Sequence, residues 1–216
     1  MSRDISRALG AWLDAGGEQI GEIAIRRVGT GLELMHYADV AEGGLEIYTT
    51  PESARHIANV DVAGEFRPLK TAPNLRRGWS LVLPDFASAR RALDFFYPAM
   101  LGAYLSHLQG MLAAVSMRET LGRQSGMYAV TKKITDEQAQ FLAGEVCRSD
   151  TGCLKTILWR ISPEIEVRSL PSDKFDPLIN QTESTAHAMP LFCHEICNLL
   201  VAKAREVVKS DMNKSA

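Results

Sequence analysis

The sequence predicts an α+β fold, with an N-terminal antiparallel hairpin and sheet carrying helices, then a C-terminal helix–strand module held by cysteine ligands. Three observations carry this. Ile23 and Ile25, then Leu32, Leu34 and His36, keep a two-residue period on either side of the Gly29-Thr30-Gly31 turn, which is the pattern of a hairpin. Segments of helical period follow without the regular strand–helix alternation of a parallel α/β sheet. All four cysteines of the 216-residue chain lie within one window of 51 residues, from Cys147 to Cys197.

The elements follow in order. In "DISRALGAWLDA", residues 4–15, Ile5, Leu9, Trp12 and Leu13 recur at helical spacing and Gly16-Gly17 ends the pattern. The hairpin comes next, and "GLEIYT" supplies a third strand. Thr50 is placed to cap a helix with Pro51 at its first position, because the ring fixes a helical φ where no amide is needed. "GWSLVL" reads as a strand, and Asp85 as the cap of a helix over "FASARRALDFF". After Tyr97-Pro98 a broadly apolar helix of about six turns is expected through "AMLGAYLSHLQGMLAAVSMRETL". "GRQSGMYAV" is expected to enter a strand. Thr135-Asp136-Glu137-Gln138 fits a capping box, and its helix should turn Phe141 and Leu142 inward and stop near Cys147. "CLKTILWRI" and "EIEVRSL" read as strands, and 171–192 as irregular. A helix from Cys193 to Lys209 closes the pattern before a polar, disordered tail, 210–216. The soft boundary near residue 122 divides an α+β part, 1–122, from a cluster-binding part, 123–209, with one continuous domain as the alternative.

Composition narrows the function classes. A formal net charge of −2 with 23% charged residues gives no general attraction to nucleic acid or anionic membrane, so neither is expected as a partner. No apolar run reaches the roughly 18 residues of a spanning helix. The charged N-terminal stretch lacks the apolar core of a secretory leader. A cytoplasmic location is therefore expected, where thiols stay reduced and metal or redox chemistry gains over disulfides.

The cysteines are spaced C-x5-C and, after 39 residues, C-x3-C: Cys147, Cys153, Cys193 and Cys197. Burial in a core explains any one of them and explains the clustering poorly. Four apart on the expected helix, Cys193 and Cys197 would share a face, with Cys193 at the helix N-terminus where unpaired amides favour thiolate. The intervening Ser149-Asp150-Thr151-Gly152 would wrap a bound group. Four thiolates suit tetrahedral zinc or a 4Fe–4S cubane. Zinc knuckles keep about two to four residues between ligands, so the looser spacing leans toward the larger cluster while leaving zinc open. Apolar Leu154, Ile157, Trp159, Leu191, Phe192 and Ile196 would exclude water around it.

The words "ARHIANVDVAGEFRPLKTAPNLRRGW", "FYPAML", "RQSGMY", "CRSDTGCLKTILW" and "CHEICNLLVAKAR", spread over roughly residues 53–205, resemble the iron–sulfur domain attached to, or encoded apart from, small sirohydrochlorin cobaltochelatase-like proteins. The resemblance implies a 4Fe–4S cluster on Cys147, Cys153, Cys193 and Cys197. It implies work near tetrapyrrole or cobalamin metabolism, as electron transfer or a redox-dependent step. It does not imply that this chain inserts metal, since a chelatase domain needs more length and histidine-bearing motifs than the first 50 residues offer. The alternatives are a structural zinc-binding interaction module and a redox or iron sensor.

Other residues offer roles around that centre. His194 lies between two ligands, and Arg148 and Lys155 flank the other pair. Arg67, Lys70, Arg76, Arg77 and Arg123 make a basic belt able to grip tetrapyrrole carboxylates through guanidinium forks; a solvated loop is the plainer reading. Trp79, Tyr97 and Tyr104 line a flat aromatic pocket or simply fill the core. His36, His56 and His107 stand far apart. A redox partner protein and a tetrapyrrole ligand are the expected partners. No nucleophile elbow, phosphate loop, zinc-protease or dinucleotide motif occurs.

Overall fold

The structure, a computed structural model, describes residues 5–108, 115–122, 124–147, 153–154, 156–157, 159–160, 187–189, 191–193 and 197–214. Its N-terminal part opens with α1 (Ile5–Asp14) and then builds β1 (Gln19–Ile20), β2 (Ile23–Val28), β3 (Gly31–His36) and β4 (Glu46–Tyr48). A short α2 (Ser53–Ile57), β5 (Trp79–Leu83), α3 (Phe86–Phe96) and α4 (Met100–Leu108) follow. The hairpin forms as its alternation predicts, antiparallel and in register from Ile23 opposite His36 to Val28 opposite Gly31. Its tightness is set by glycine. Gly29 turns at φ 57°, and a Cβ on Gly31 would fall 1.9 Å from the Leu83 carbonyl oxygen of the neighbouring strand.

The sheet is mixed, in the order β4, β5, β3, β2, β1 and a sixth strand, β9 (Ala188–Met189), from the C-terminal part. Antiparallel pairing runs through β5, β3, β2 and β1, and both edge strands add in parallel. One face points Ile23, Ile25, Leu32, Leu34, Leu81 and Leu83 into a core shared with α1 and α3. Trp79 lies stacked on Phe96 there, ring centres 5.1 Å apart. Asp85 caps α3 as expected, accepting from the Ser88 amide at 2.7 Å. The α2 helix starts two residues later than Pro51, after a turn in which the Ser53 amide donates to the Thr50 carbonyl.

The second part is built from β6 (Val115–Ser116), α5 (Met117–Gly122), a 3₁₀ stretch over Gly126–Lys133 and α6 (Asp136–Cys147). Then come β7 (Thr156–Ile157), β8 (Trp159–Arg160), β9 (Ala188–Met189), β10 (Phe192–Cys193) and α7 (Asn198–Lys214). The single long helix expected after Pro98 is thus α4 and α5 with β6 between them. Val115 and Ser116 pair in parallel with Trp159 and Arg160, and an apolar run covered all round does not distinguish buried helix from buried strand. "GMYAV" forms 3₁₀ turns instead of a strand because the buried Thr131 hydroxyl, 2.8 Å from both Leu121 O and Tyr128 O, draws the chain into them.

Two further expectations are corrected. Leu142 is buried but Phe141 is 60% exposed, since adjacent helix positions cannot share a narrow face. The last helix starts at Asn198 and continues to Lys214. Its end is tied down by Gln138 donating to Asp211 and by Lys133 reaching Met212 Sδ at 3.8 Å. Leu200, Val201, Ala204 and Val208 of α7 pack with Leu121, Ile134, Ala139 and Leu142 in a second apolar core. The expected strand "EIEVRSL" and most of 171–192 lie outside the described residues. No helix among the described residues is long and apolar enough to cross a membrane.

Candidate metal centre

Each cysteine is held by a different element. Cys147 is the last residue of α6, and its side chain lies outside the described residues. The helix that delivers it starts with the predicted capping box: the Thr135 amide donates to Gln138 Oε1 at 2.9 Å, and the Gln138 amide to Thr135 Oγ1 at 3.2 Å. Gln138 near the start of α6 bonds Asp211 near the end of α7, so the two helices run antiparallel. The C-terminal end of α6, with Cys147, therefore lies at the same end of the pair as the start of α7, with Cys197. Val146, one residue before Cys147, packs against the second core together with Cys197, and the buried Cys193 is part of that core.

Here the structure revises the expected geometry. Cys193 is in a strand, β10, not at the start of a helix. It is Cys197 that stands immediately before α7, with the Leu200 amide donating to its Sγ at 3.5 Å, the position and contact of an N-cap side chain. An amide donor at that place stabilises negative charge on sulfur. β10 pairs in parallel with β7, Cys193 opposite Ile157, four residues beyond Cys153.

Cys153 meets the N-terminal part. Its half-buried sulfur lies 2.7 Å from the hydroxyl of Thr71, and the next amide, Leu154 N, donates to Thr71 O at 2.7 Å. Leu154 packs on the first core. Cys153, Cys193 and Cys197 all stand as thiols outside disulfides. Among the described residues no three Cys, His, Asp or Glu side chains group as metal ligands. Thiol donors, one buried in an apolar core and one beside a helix amide, fit a thiolate-held metal group.

The described residues of the basic belt do not share one exposed patch. Arg67 is 2% exposed and spends its guanidinium inside the fold, donating to Asn74 Oδ1 (3.0 Å), Ala58 O (3.2 Å), Lys70 O (3.0 Å), Ala72 O (2.7 Å) and Glu22 Oε2 (3.3 Å). Lys70 donates to Asn59 Oδ1 at 2.5 Å, and burial, with the Arg67 and Arg55 charges, holds its pKa below the usual lysine range. Arg76 pairs with Glu46 at 2.8 Å; of the belt's described residues only Arg77 is exposed. Trp79 and Tyr97 are core residues, Tyr104 is half-buried, and no flat aromatic pocket forms from them. Arg123, Arg148, Lys155 and His194 lie outside the described residues. His36 is buried with Nε2 3.5 Å from Glu22, while His56 is exposed on α2.

Sequence reasoning missed the buried polar group around Glu22. This carboxylate, 4% exposed, accepts from the Leu75 amide and from Arg67, and the Glu22 amide donates to the Tyr97 hydroxyl at 2.7 Å. The available signal was a glutamate interrupting an inward-facing apolar series between Ile20 and Ile23. Thr71 carried no signal.

Fold and site define an α+β protein whose cysteines all lie in its C-terminal part. Residues 109–206 match the model of the 4Fe–4S iron–sulfur cluster binding domain, and residues 6–107 match that of the DR2241 stabilising domain. A solved structure, DR2241 from Deinococcus radiodurans, described as a multi-domain protein with structural similarity to chelatases and two additional novel domains, superposes with a TM-score of 0.71 at 28% identity over 94% of this chain. Its second half is thus similar to 4Fe–4S cluster-binding domains, in agreement with the resemblance of the cysteine-bearing words. It spans 42% of the length of the solved relative. No curated protein matches it.

Proposed function

We propose that Cys147, Cys153, Cys193 and Cys197 hold one 4Fe–4S cluster and that the protein serves electron transfer or a redox-dependent step beside tetrapyrrole or cobalamin metabolism in the cytoplasm. The observation that supports this is the antiparallel pairing of α6 with α7, which brings the end of α6, where Cys147 stands, and the start of α7, where Cys197 stands, to one end of the pair, with Cys193 and Cys197 both at the second core. The family match supports iron and sulfide over zinc. When bound, the cluster supplies one-electron chemistry. The chain's own residues hold it, exclude water through the second core, and donate hydrogen bonds to its sulfurs. Four cysteine ligands leave no iron position open, which favours electron transfer to a partner protein over Lewis-acid catalysis. The likeness of the solved relative to chelatases supports a partner that handles a tetrapyrrole.

Iron and acid-labile sulfide per chain, measured after anaerobic purification, test the reading. A brown protein with equal iron and sulfide is expected, and Cys193→Ser and Cys197→Ser should each lose most of both. A colourless protein holding one zinc per chain would replace the cluster with a structural metal site.

A further inference from the structure

We infer that Thr71, in the N-terminal part, is a positioning residue of the cluster site: its hydroxyl donates to the sulfur of Cys153 and helps set the reduction potential of the bound cluster. The inference rests on Cys153 being a ligand, as proposed above. Thr71 Oγ1 lies 2.7 Å from Cys153 Sγ. In the thiol form either atom can donate. Once Cys153 is a thiolate ligand its sulfur has no proton, so the hydroxyl alone can donate.

What makes this more than a passing contact is how firmly Thr71 is held. The residue is 3% exposed. The carbonyls immediately before and after it, Lys70 O and Ala72 O, both accept from Arg67 Nη2, at 3.0 and 2.7 Å. Its own carbonyl accepts from the Leu154 amide at 2.7 Å. Arg67 is anchored in turn by the buried Glu22, which also receives the Leu75 amide. Three successive carbonyls are thus spoken for, two by the guanidinium and one by the residue after Cys153. The hydroxyl is aimed at the sulfur by a rigid loop and not by a side chain free to rotate away. This clamp lies in the half of the chain that contains no cysteine, so it gives that half a direct hand in the properties of the metal group.

The physical effect follows from charge. A hydrogen bond to a ligand sulfur withdraws electron density and favours the reduced, more negative cluster, which raises the potential. Thr71→Val keeps the shape and removes the donor. Thr71→Ser keeps the donor and removes a methyl group.

The experiment compares wild type, T71V and T71S, each loaded anaerobically, by iron and sulfide content and then by redox titration followed in electron paramagnetic resonance. The expected result is equal loading, a lower midpoint potential for T71V, and a T71S value at or near wild type. If T71V fails to fold, T71A against T71S makes the same comparison, with the lower potential expected for alanine. A loaded wild type whose potential is matched by the variants lacking the hydroxyl overturns the role of Thr71 and leaves the cluster assignment standing. A wild type that takes up no iron overturns both.

Discussion

At the scale of single residues, the most consequential choice in this molecule is the burial of Glu22 and Arg67. Two opposite charges taken out of water cost several kcal/mol of hydration, and their attraction repays it only when every remaining donor and acceptor is used. Arg67 meets that condition with its five donor contacts, and Glu22 with Arg67 and the Leu75 amide. Neutralising one partner strands the other. Glu22→Gln, nearly the same shape, is therefore expected to cost about 3 kcal/mol, read from the midpoint of urea unfolding; a loss under about 0.5 kcal/mol, the usual range for surface changes, would mean the pair does not hold the loop.

Tyr97 gives the same network a pH dependence. Burial, modified by the neighbouring charges of Glu22 and Arg67, raises its phenol far above the usual tyrosine range. The unfolded chain releases that proton near pH 10 while the folded chain keeps it. Above about pH 10 the unfolded state therefore binds fewer protons, and stability falls as pH rises toward the higher folded value. The comparison to make is wild type against Tyr97→Phe. At pH 8 the wild type should be the more stable by about 1 kcal/mol, from the hydrogen bond to the Glu22 amide, and the gap should narrow above pH 10. A gap that stays constant would mean the phenol ionises equally in both states. Tyr97 also meets Gly21, where a Cβ would fall 2.5 Å from the phenol, so a side chain at that glycine would disturb the same bond.

At the scale of elements, what was legible in the sequence is what local chemistry decides. The hairpin was legible because a two-residue period and a glycine turn admit one pairing. The caps at Asp85 and Thr135 were legible because a hydroxyl or carboxylate three residues ahead of an amide has an obvious partner. The cysteines were legible as a set from their clustering. The secondary structure around them was not. "FCHEIC" has the spacing of a helix face, yet Cys193 is drawn into β10 by pairing with Ile157, a contact more than thirty residues away in the chain, and no local pattern reports a distant partner. The same holds for Val115 in β6. Capping remains a local effect and can be tested locally. Thr135→Ala removes one half of the box that starts α6, so it is expected to cost about 1 kcal/mol in thermal unfolding, and because α6 ends at Cys147 the variant should also lose iron faster in air. A variant with unchanged stability would show that tertiary packing alone holds the first turn.

At the scale of the whole molecule, the described residues form two apolar cores of unequal size, 23 buried residues in the first and nine in the second. Residues 187–193 tie them together: β9 adds to the sheet, Met189 and Leu191 enter the first core, and Cys193, two further on, enters the second. That alternation is written in "AMPLFC", but Pro190 and the irregular stretch before it hide it from a pattern read alone. Among the described residues the second core is the smaller, and small cores gain from disulfides, a metal or a partner. Cys153, Cys193 and Cys197 stand as thiols, and under the proposed function the binding energy of the cluster becomes folding energy for this half. Removing iron with a chelator should then act unevenly. Hydrogen exchange is expected to show α6 and α7 losing protection while β2, β3 and β5 keep theirs, because those strands hold no cysteine and pack within the larger core. Uniform loss across both halves would mean the sheet too depends on the cluster, and no loss in α6 and α7 would mean the second core stands on its own packing and that the thiols bind nothing that matters to the fold.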